Sequence, residues 1–244
     1  MKQPLWEDIL AAPAYVINLD RCPDRWNATR DRLEAAGYRD IRRFVGVDAA
    51  AEGDEGLLVH LRRHGQALSW AQGPANPDAD FMEWPGKRGC LLSHLHLWRH
   101  ILDDPPMGGW ATVFEDDLAF HEQWADLAPR YWEATPADAD LVYLGHQLDA
   151  PSGTHIDRAP VWCTHAMLWS TDGIAKAYRS LLGNPGGLFT IDYMLKLRFD
   201  EIRHYVWNGL FFPSKMAQMD KGWSKRNCGL VFQDVAWGSD VRTW

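Results

Sequence analysis

The chain has 244 residues, 46% of them hydrophobic, and a formal net charge of −8. That length carries a full core in one domain, and an acidic balance without a basic run excludes a nucleic-acid footprint. No apolar run approaches the ~20 residues that span a bilayer, although peripheral membrane contact stays open.

The opening Met1-Lys2-Gln3-Pro4 stretch lacks the shape of a signal peptide. The four cysteines at positions 22, 90, 163 and 228 lie far apart with no C-x-x-C. This spacing argues against a disulfide framework or zinc site, and for a reducing, cytoplasmic setting. Fourteen tryptophans mildly favour a carbohydrate ligand, since a flat indole face stacks on sugar C–H surfaces. For any single tryptophan, a core role is the better reading.

In chain order, Ala14 to Leu19 reads as a buried strand, and Asp20-Arg21-Cys22 turns it into a helix. Pro23 takes the first helical position and Gly37 stops the helix. Ile41 to Val47 is a second strand ending at Asp48, and this strand–helix–strand order points to α/β layering with a parallel sheet. Residues 49 to about 86 read as irregular, with one short helix near Leu57 to His64, a candidate substrate-facing insertion. Next, Leu91, His94, Leu95, Trp98, Ile101 and Leu102 fall on one helical stripe. His94 on that stripe has an ordinary reading as a hydrogen-bonded core histidine. His96 and His100 share a face that His94 does not, so a histidine metal site is rejected.

After the turn Pro105-Pro106-Met107-Gly108-Gly109, Ala111 to Phe114 reads as a buried strand. A helix over Gln123 to Glu133 follows, then a strand from Leu141 to Leu144 ending in Gly145-His146. Val161 to Ser170 reads as a strand, Asp172 to Leu182 as a helix, and Ile191 to Phe199 as a helix capped by Thr190. Tyr205 to Phe212 gives a last strand. The tail from Met219 to Trp244 is polar and Gly-rich, punctuated by Trp223 and Trp237.

The strand over Ala111 to Phe114 runs into Glu115-Asp116-Asp117. Alternation along a strand puts Glu115 and Asp117 on one face and Asp116 on the other. Carboxylates this close repel, so the triplet calls for positive charge. Hard oxygen donors suit Mg²⁺ or Mn²⁺. A solvated acidic turn is the plain alternative.

Several segments together resemble glycosyltransferase family 25, which includes bacterial lipooligosaccharide and animal procollagen galactosyltransferases. Ile17-Asn18-Leu19-Asp20-Arg21-Cys22-Pro23-Asp24-Arg25 is similar to its opening "INLDRRPDR", and Phe44-Val45-Gly46-Val47-Asp48-Ala49 to its "F-x-AVDG". Gly86 to His94 resembles "GExGCxLSH", with Lys87-Arg88 replacing an acidic–aliphatic pair, and Val113 to Asp117 resembles "xLEDD". Val142 to Gly145, Thr164-His165-Ala166, Thr190 to Met194 and Gln218 fall where the family has "YLG", "HAY", "VDxxL" and a late glutamine.

The resemblance implies an α/β, GT-A-like single domain over 1–244, with a mostly parallel central sheet flanked by helices. About 1–117 would form the nucleotide-binding half and about 118–244 the acceptor half. It implies inverting transfer of a hexose, galactose or glucose, from a UDP-sugar to a hydroxyl of a glycan, lipooligosaccharide or hydroxylated peptide. Mn²⁺ (or Mg²⁺) would sit on Glu115 and Asp117. Asn18, Asp20, Arg25, Asp48, Ser93, His94 and Asp116 would serve donor and cofactor binding; the plain alternative for Arg25 is a surface ion pair.

Inversion needs a base for the acceptor proton. Asp192, matching the family's late aspartate, is the first choice, with a helix-start acid as its plain alternative. His165 and His146 are the other titratable candidates. Two further readings stay open, a metal-dependent nucleotide-sugar hydrolase and a catalytically silent GT-A sugar-binding module.

Overall fold

The computed structural model describes residues 3–148, 156–208 and 226–234. The first half runs α1 (Trp6–Ala11), β1 (Pro13–Asn18), α2 (Pro23–Ala35), β2 (Asp40–Val45), α3 (Ala49–Arg62), α4 (Pro85–Asp103) and β3 (Trp110–Glu115). The second half runs β4 (Leu118–Phe120), α5 (Trp124–Ala134), β5 (Leu141–Leu148), β6 (Ile156–Asp157), β7 (Trp162–Ser170), α6 (Thr171–Leu182), α7 (Ile191–Leu197), β8 (His204–Trp207), β9 (Arg226–Gly229) and β10 (Val231–Gln233).

The central sheet has the order β2-β1-β3-β7-β5-β8-β6, with β9 added on β5. β1 pairs in parallel with both β2 and β3, and β8 pairs in parallel with β5. β7 runs antiparallel between β3 and β5, and β6 and β9 are also antiparallel to their partners. Thus β1, β2, β3, β5 and β8 point one way, and the arrangement is the expected α/β one, a mostly parallel sheet flanked by helices.

Side-chain alternation explains why both faces are covered. Val113, Met167, Trp169, Leu141 and Tyr143 face the helices α4, α6 and α7; Phe114, Ala166, Leu168, Val142 and Leu144 face α1, α2 and α5. With no wet face, the middle strands read as unbroken apolar runs, the usual signature of a buried sheet. Trp98 on α4 meets Trp169 on β7 edge-on, with ring centroids 5.2 Å apart. Both are fully buried, and truncating such a side chain costs roughly 3–5 kcal/mol.

Several sequence expectations are corrected by this fold. The helix expected near Leu57 to His64 is present but starts earlier, α3 running over Ala49–Arg62 with an interruption at Gly53 (φ 61°, ψ 179°). The break hides the helical period, but Leu57 and Leu61 are fully buried in the same apolar cluster as α4. β5 continues beyond Leu144 to Leu148, because β9 pairs with Gly145 to Leu148. The tail is therefore partly strand, not only polar loop.

Thr190 stands at the cap position of α7 but makes no capping bond; its hydroxyl donates to Asp78 instead. That helix ends at Leu197, and the strand expected from Tyr205 is β8, His204–Trp207, with β9 and β10 following it in the chain. Residues 209–212, Gln218, Trp223, Trp237 and Trp244 lie outside the described residues.

Candidate functional site

β1 and β3 lie side by side in parallel, with Ile17 opposite Glu115. Both chains therefore leave the sheet at the same edge, where open α/β sheets form ligand crevices. A cleft of about 110 Å³, open to solvent, sits there. Its lining includes Arg25 from α2, Cys90, Ser93 and His94 from α4, Glu115-Asp116-Asp117, and Gln233 from β10.

β3 stops at Glu115, and Asp116-Asp117 form a turn before β4. Strand alternation therefore ends one residue too early to send Asp116 to the opposite face. All three acids line the cleft, which corrects the two-against-one expectation.

Each acid has its own surroundings. Glu115 accepts the Thr164 hydroxyl at 2.7 Å, and His94 Nε2 stands 3.7 Å from the same carboxylate, beyond hydrogen-bond range. Burial would raise the Glu115 pKa, but His94 and the Thr164 hydroxyl outweigh it and hold the carboxyl below its usual value. Asp116 accepts from Asn18 Nδ2 at 2.5 Å, while its backbone carbonyl accepts the Thr29 hydroxyl at 2.8 Å. Arg25, itself buried, approaches Asp116 at 3.4 Å and Asp117 at 3.8 Å.

Asp117 Oδ2 also faces Gln233 Nε2 at 3.4 Å, whereas Oδ1 is buried and has no hydrogen-bond partner among the described residues. Burial, then the charge of Glu115, drives its pKa well above the normal range, against the pull of Arg25. The cluster is short of positive charge.

The other expected site residues separate into those at the cleft and those away from it. Ser93 donates to the Gly89 carbonyl at 2.7 Å and accepts from Val47 N–H at 2.8 Å. A side chain at Gly89 would meet the Val47 carbonyl at 2.7 Å, so glycine is what lets α4 approach this connection. Asn18 is buried and additionally accepts from Arg43 at 2.7 Å. Asp48 caps α3 through Ala50 N–H and pairs with Arg21 at 2.7 Å. Asp20 is exposed and pairs with Arg43 at 2.9 Å. Neither of these two acids is among the residues lining the cleft.

Asp192 sits in the first turn of α7, half-buried, accepting from Tyr193 N–H at 2.8 Å and Cys163 N–H at 3.5 Å. Cys163 has φ 72°, the one positive φ outside glycine among the described residues. Backbone held in this region stores strain and clusters at functional sites. Cys90 links the two groups of acids. Burial first, then the charges of Glu115 and Asp192, raises its thiol pKa well above normal.

His165 is fully buried, its Nε2 facing the Val231 carbonyl at 3.2 Å, and burial lowers its pKa. His146 is likewise buried, with Nε2 on the Trp207 carbonyl at 3.2 Å and a pKa lowered to about 4. Neither lines the cleft. Thr164, by contrast, reaches Glu115 directly, although it bears no titratable group that sequence reasoning would single out. Gln233 belongs to a short strand, β10, that pairs antiparallel with β4.

Comparison with known proteins gives consistent results. The sequence model described as "Glycosyltransferase family 25 (LPS biosynthesis protein)" matches residues 11–151. The human protein named "Inactive glycosyltransferase 25 family member 3" is 25% identical over 214 residues, covering 83% of this chain and 34% of its own. An Aedes aegypti "Glycosyltransferase 25 family member" is 27% identical over 135 residues, covering 54% of this chain and 21% of its own. The chain thus spans about a third or less of the length of these relatives. Among solved structures, a glycosyltransferase involved in the glycosylation of the major capsid of PBCV-1 is similar at a TM-score of 0.44 and 11% identity. That match covers 80% of this chain and 79% of the other.

Proposed function

The chain belongs to glycosyltransferase family 25, and we propose that it moves a hexose from a UDP-sugar to an acceptor hydroxyl with inversion. The sugar is galactose or glucose, and the acceptor a glycan, lipooligosaccharide or hydroxylated peptide. The observation that carries this reading is the convergence of Glu115, Asp116 and Asp117 on one cleft beside Arg25.

The acidic turn fits a hard divalent ion. Asp117 Oδ1 is buried and unpartnered among the described residues, and burial, then the charge of Glu115, raises the pKa of its carboxyl. Glu115 and Asp117 would hold Mn²⁺ or Mg²⁺. The ion, when bound, supplies Lewis-acid neutralisation of the charge that grows on a departing diphosphate.

The chain's own residues do the rest. Arg25 offers a buried guanidinium to a phosphate, a group that its planar fork suits. Asn18 and Thr29 fix the acidic turn through Asp116. Asp192 takes the proton from the acceptor hydroxyl, as an inverting displacement requires a base opposite the leaving group.

A second reading, a silent sugar-binding module, is favoured by one specific feature. Arg25 already stands against Asp116 and Asp117, where a cation would otherwise be needed, and the human relative is named inactive. Release of UDP from a panel of UDP-sugars with Mn²⁺, with and without acceptor glycans, tests the proposal. Acceptor-stimulated release supports transfer; release indifferent to every acceptor points to a hydrolase; binding without release points to the silent module.

A further inference from the structure

Cys90 and His94 stand four residues apart on α4 and so share one face of it. Glu115 ends β3 directly opposite. One ligand atom from each, a thiol sulfur, an imidazole nitrogen and a carboxylate oxygen, lies within 4.8 Å of the others. All three line the open cleft, which provides an entry path. His94 is fully buried, yet neither ring nitrogen has a hydrogen-bond partner among the described residues. A buried imidazole without partners is costly unless something else engages it.

We propose that Cys90, His94 and Glu115 form a site for a borderline-soft divalent cation, Zn²⁺ foremost, distinct in donor chemistry from the all-carboxylate turn. Sulfur, nitrogen and oxygen together match zinc rather than magnesium or manganese. Three protein ligands facing a cleft leave a fourth position for water, the open form of a zinc site. Thr164 already donates to Glu115 Oε1 at 2.7 Å, orienting that carboxylate from behind. As the ion binds, a sulfur–metal bond forms and the thiol proton passes to solvent. No C-x-x-C spacing signals this site, because its donors arrive from a helix and a strand end. Zn²⁺ here would draw Glu115 away from a hard ion and inhibit transfer. That consequence rests on the transfer reading; the binding itself does not.

Titrating Co²⁺ into the metal-stripped chain, without nucleotide or acceptor, tests the site through its absorption spectrum. A thiolate-to-cobalt charge-transfer band that saturates at one ion per chain, is displaced by Zn²⁺, and disappears in Cys90→Ser is the expected result. No such band, or one undiminished in Cys90→Ser, overturns the proposal. If the serine variant does not fold, alkylation of the native chain mapped by mass spectrometry decides. Zn²⁺ should protect Cys90 while leaving Cys22 reactive, and equal alkylation of Cys90 with and without Zn²⁺ overturns the site. Neither readout involves sugar transfer, so failure of the transfer proposal leaves both intact.

Discussion

Asn18 Nδ2 donates to Asp116 Oδ2 at 2.5 Å, joining residues 98 apart in sequence. This bond ties the exit of β1 to the acidic turn after β3. The same amide nitrogen also donates to the Cys22 carbonyl, holding the entry to α2 and hence Arg25. One buried side chain thus sets the relation between the cationic and anionic walls of the cleft.

Replacing Asn18→Ala should cost about 1–3 kcal/mol, because a buried carboxylate loses a hydrogen-bond donor. UDP affinity should fall with it, since the acidic turn and Arg25 lose their common anchor. Urea unfolding and calorimetry check both; unchanged stability would mean the amide bond is dispensable.

Asp192→Asn preserves shape and can still accept from Tyr193 N–H, but cannot take a proton. Donor and metal binding should persist while transfer falls by roughly 10²–10⁴-fold, the usual contribution of a positioned base. Loss of donor affinity instead would move Asp192 into the donor site. Near-normal transfer would return it to a helix-start acid.

Stability should decline in mild acid through buried neutral histidines. Burial lowers the pKa of His146 and of His204 from 6.5 to about 4. Unfolding restores the ordinary value, so the unfolded chain binds protons first as pH falls. The contribution is whole above about 6.5 and is lost progressively toward about 4. His146→Gln should flatten the pH dependence by on the order of 3 kcal/mol across this window. Urea unfolding at several pH values checks it, and an unaltered slope would contradict the assignment.

Much of the fold was legible where local pattern and tertiary burial agree. The α4 stripe from Leu91 to Ile101 is buried as its period implies, and the apolar runs of β1 and β3 are central strands. The pattern failed where a single residue interrupts it, as Gly53 does in α3. It also failed where strands exist only through distant partners, as β9 does on β5 and β10 on β4. At the site, the acid triplet was visible, but the face of Asp116 depended on β3 ending at Glu115 rather than one residue later. The approach of Cys90 and His94 to Glu115 was beyond any spacing rule, because it is created by α4 packing across the sheet edge.

The proposed transfer requires the acidic turn to bind a UDP-sugar through a divalent ion. Calorimetric titration of UDP in the presence and absence of Mn²⁺, on the native chain and on Asp117→Ala, tests it most directly. Mn²⁺-dependent UDP binding should disappear in Asp117→Ala, and the variant should be at least as stable as the native chain, because a buried carboxyl beside Glu115 has been removed. Unaltered Mn²⁺ and UDP affinity in a folded Asp117→Ala protein would contradict it.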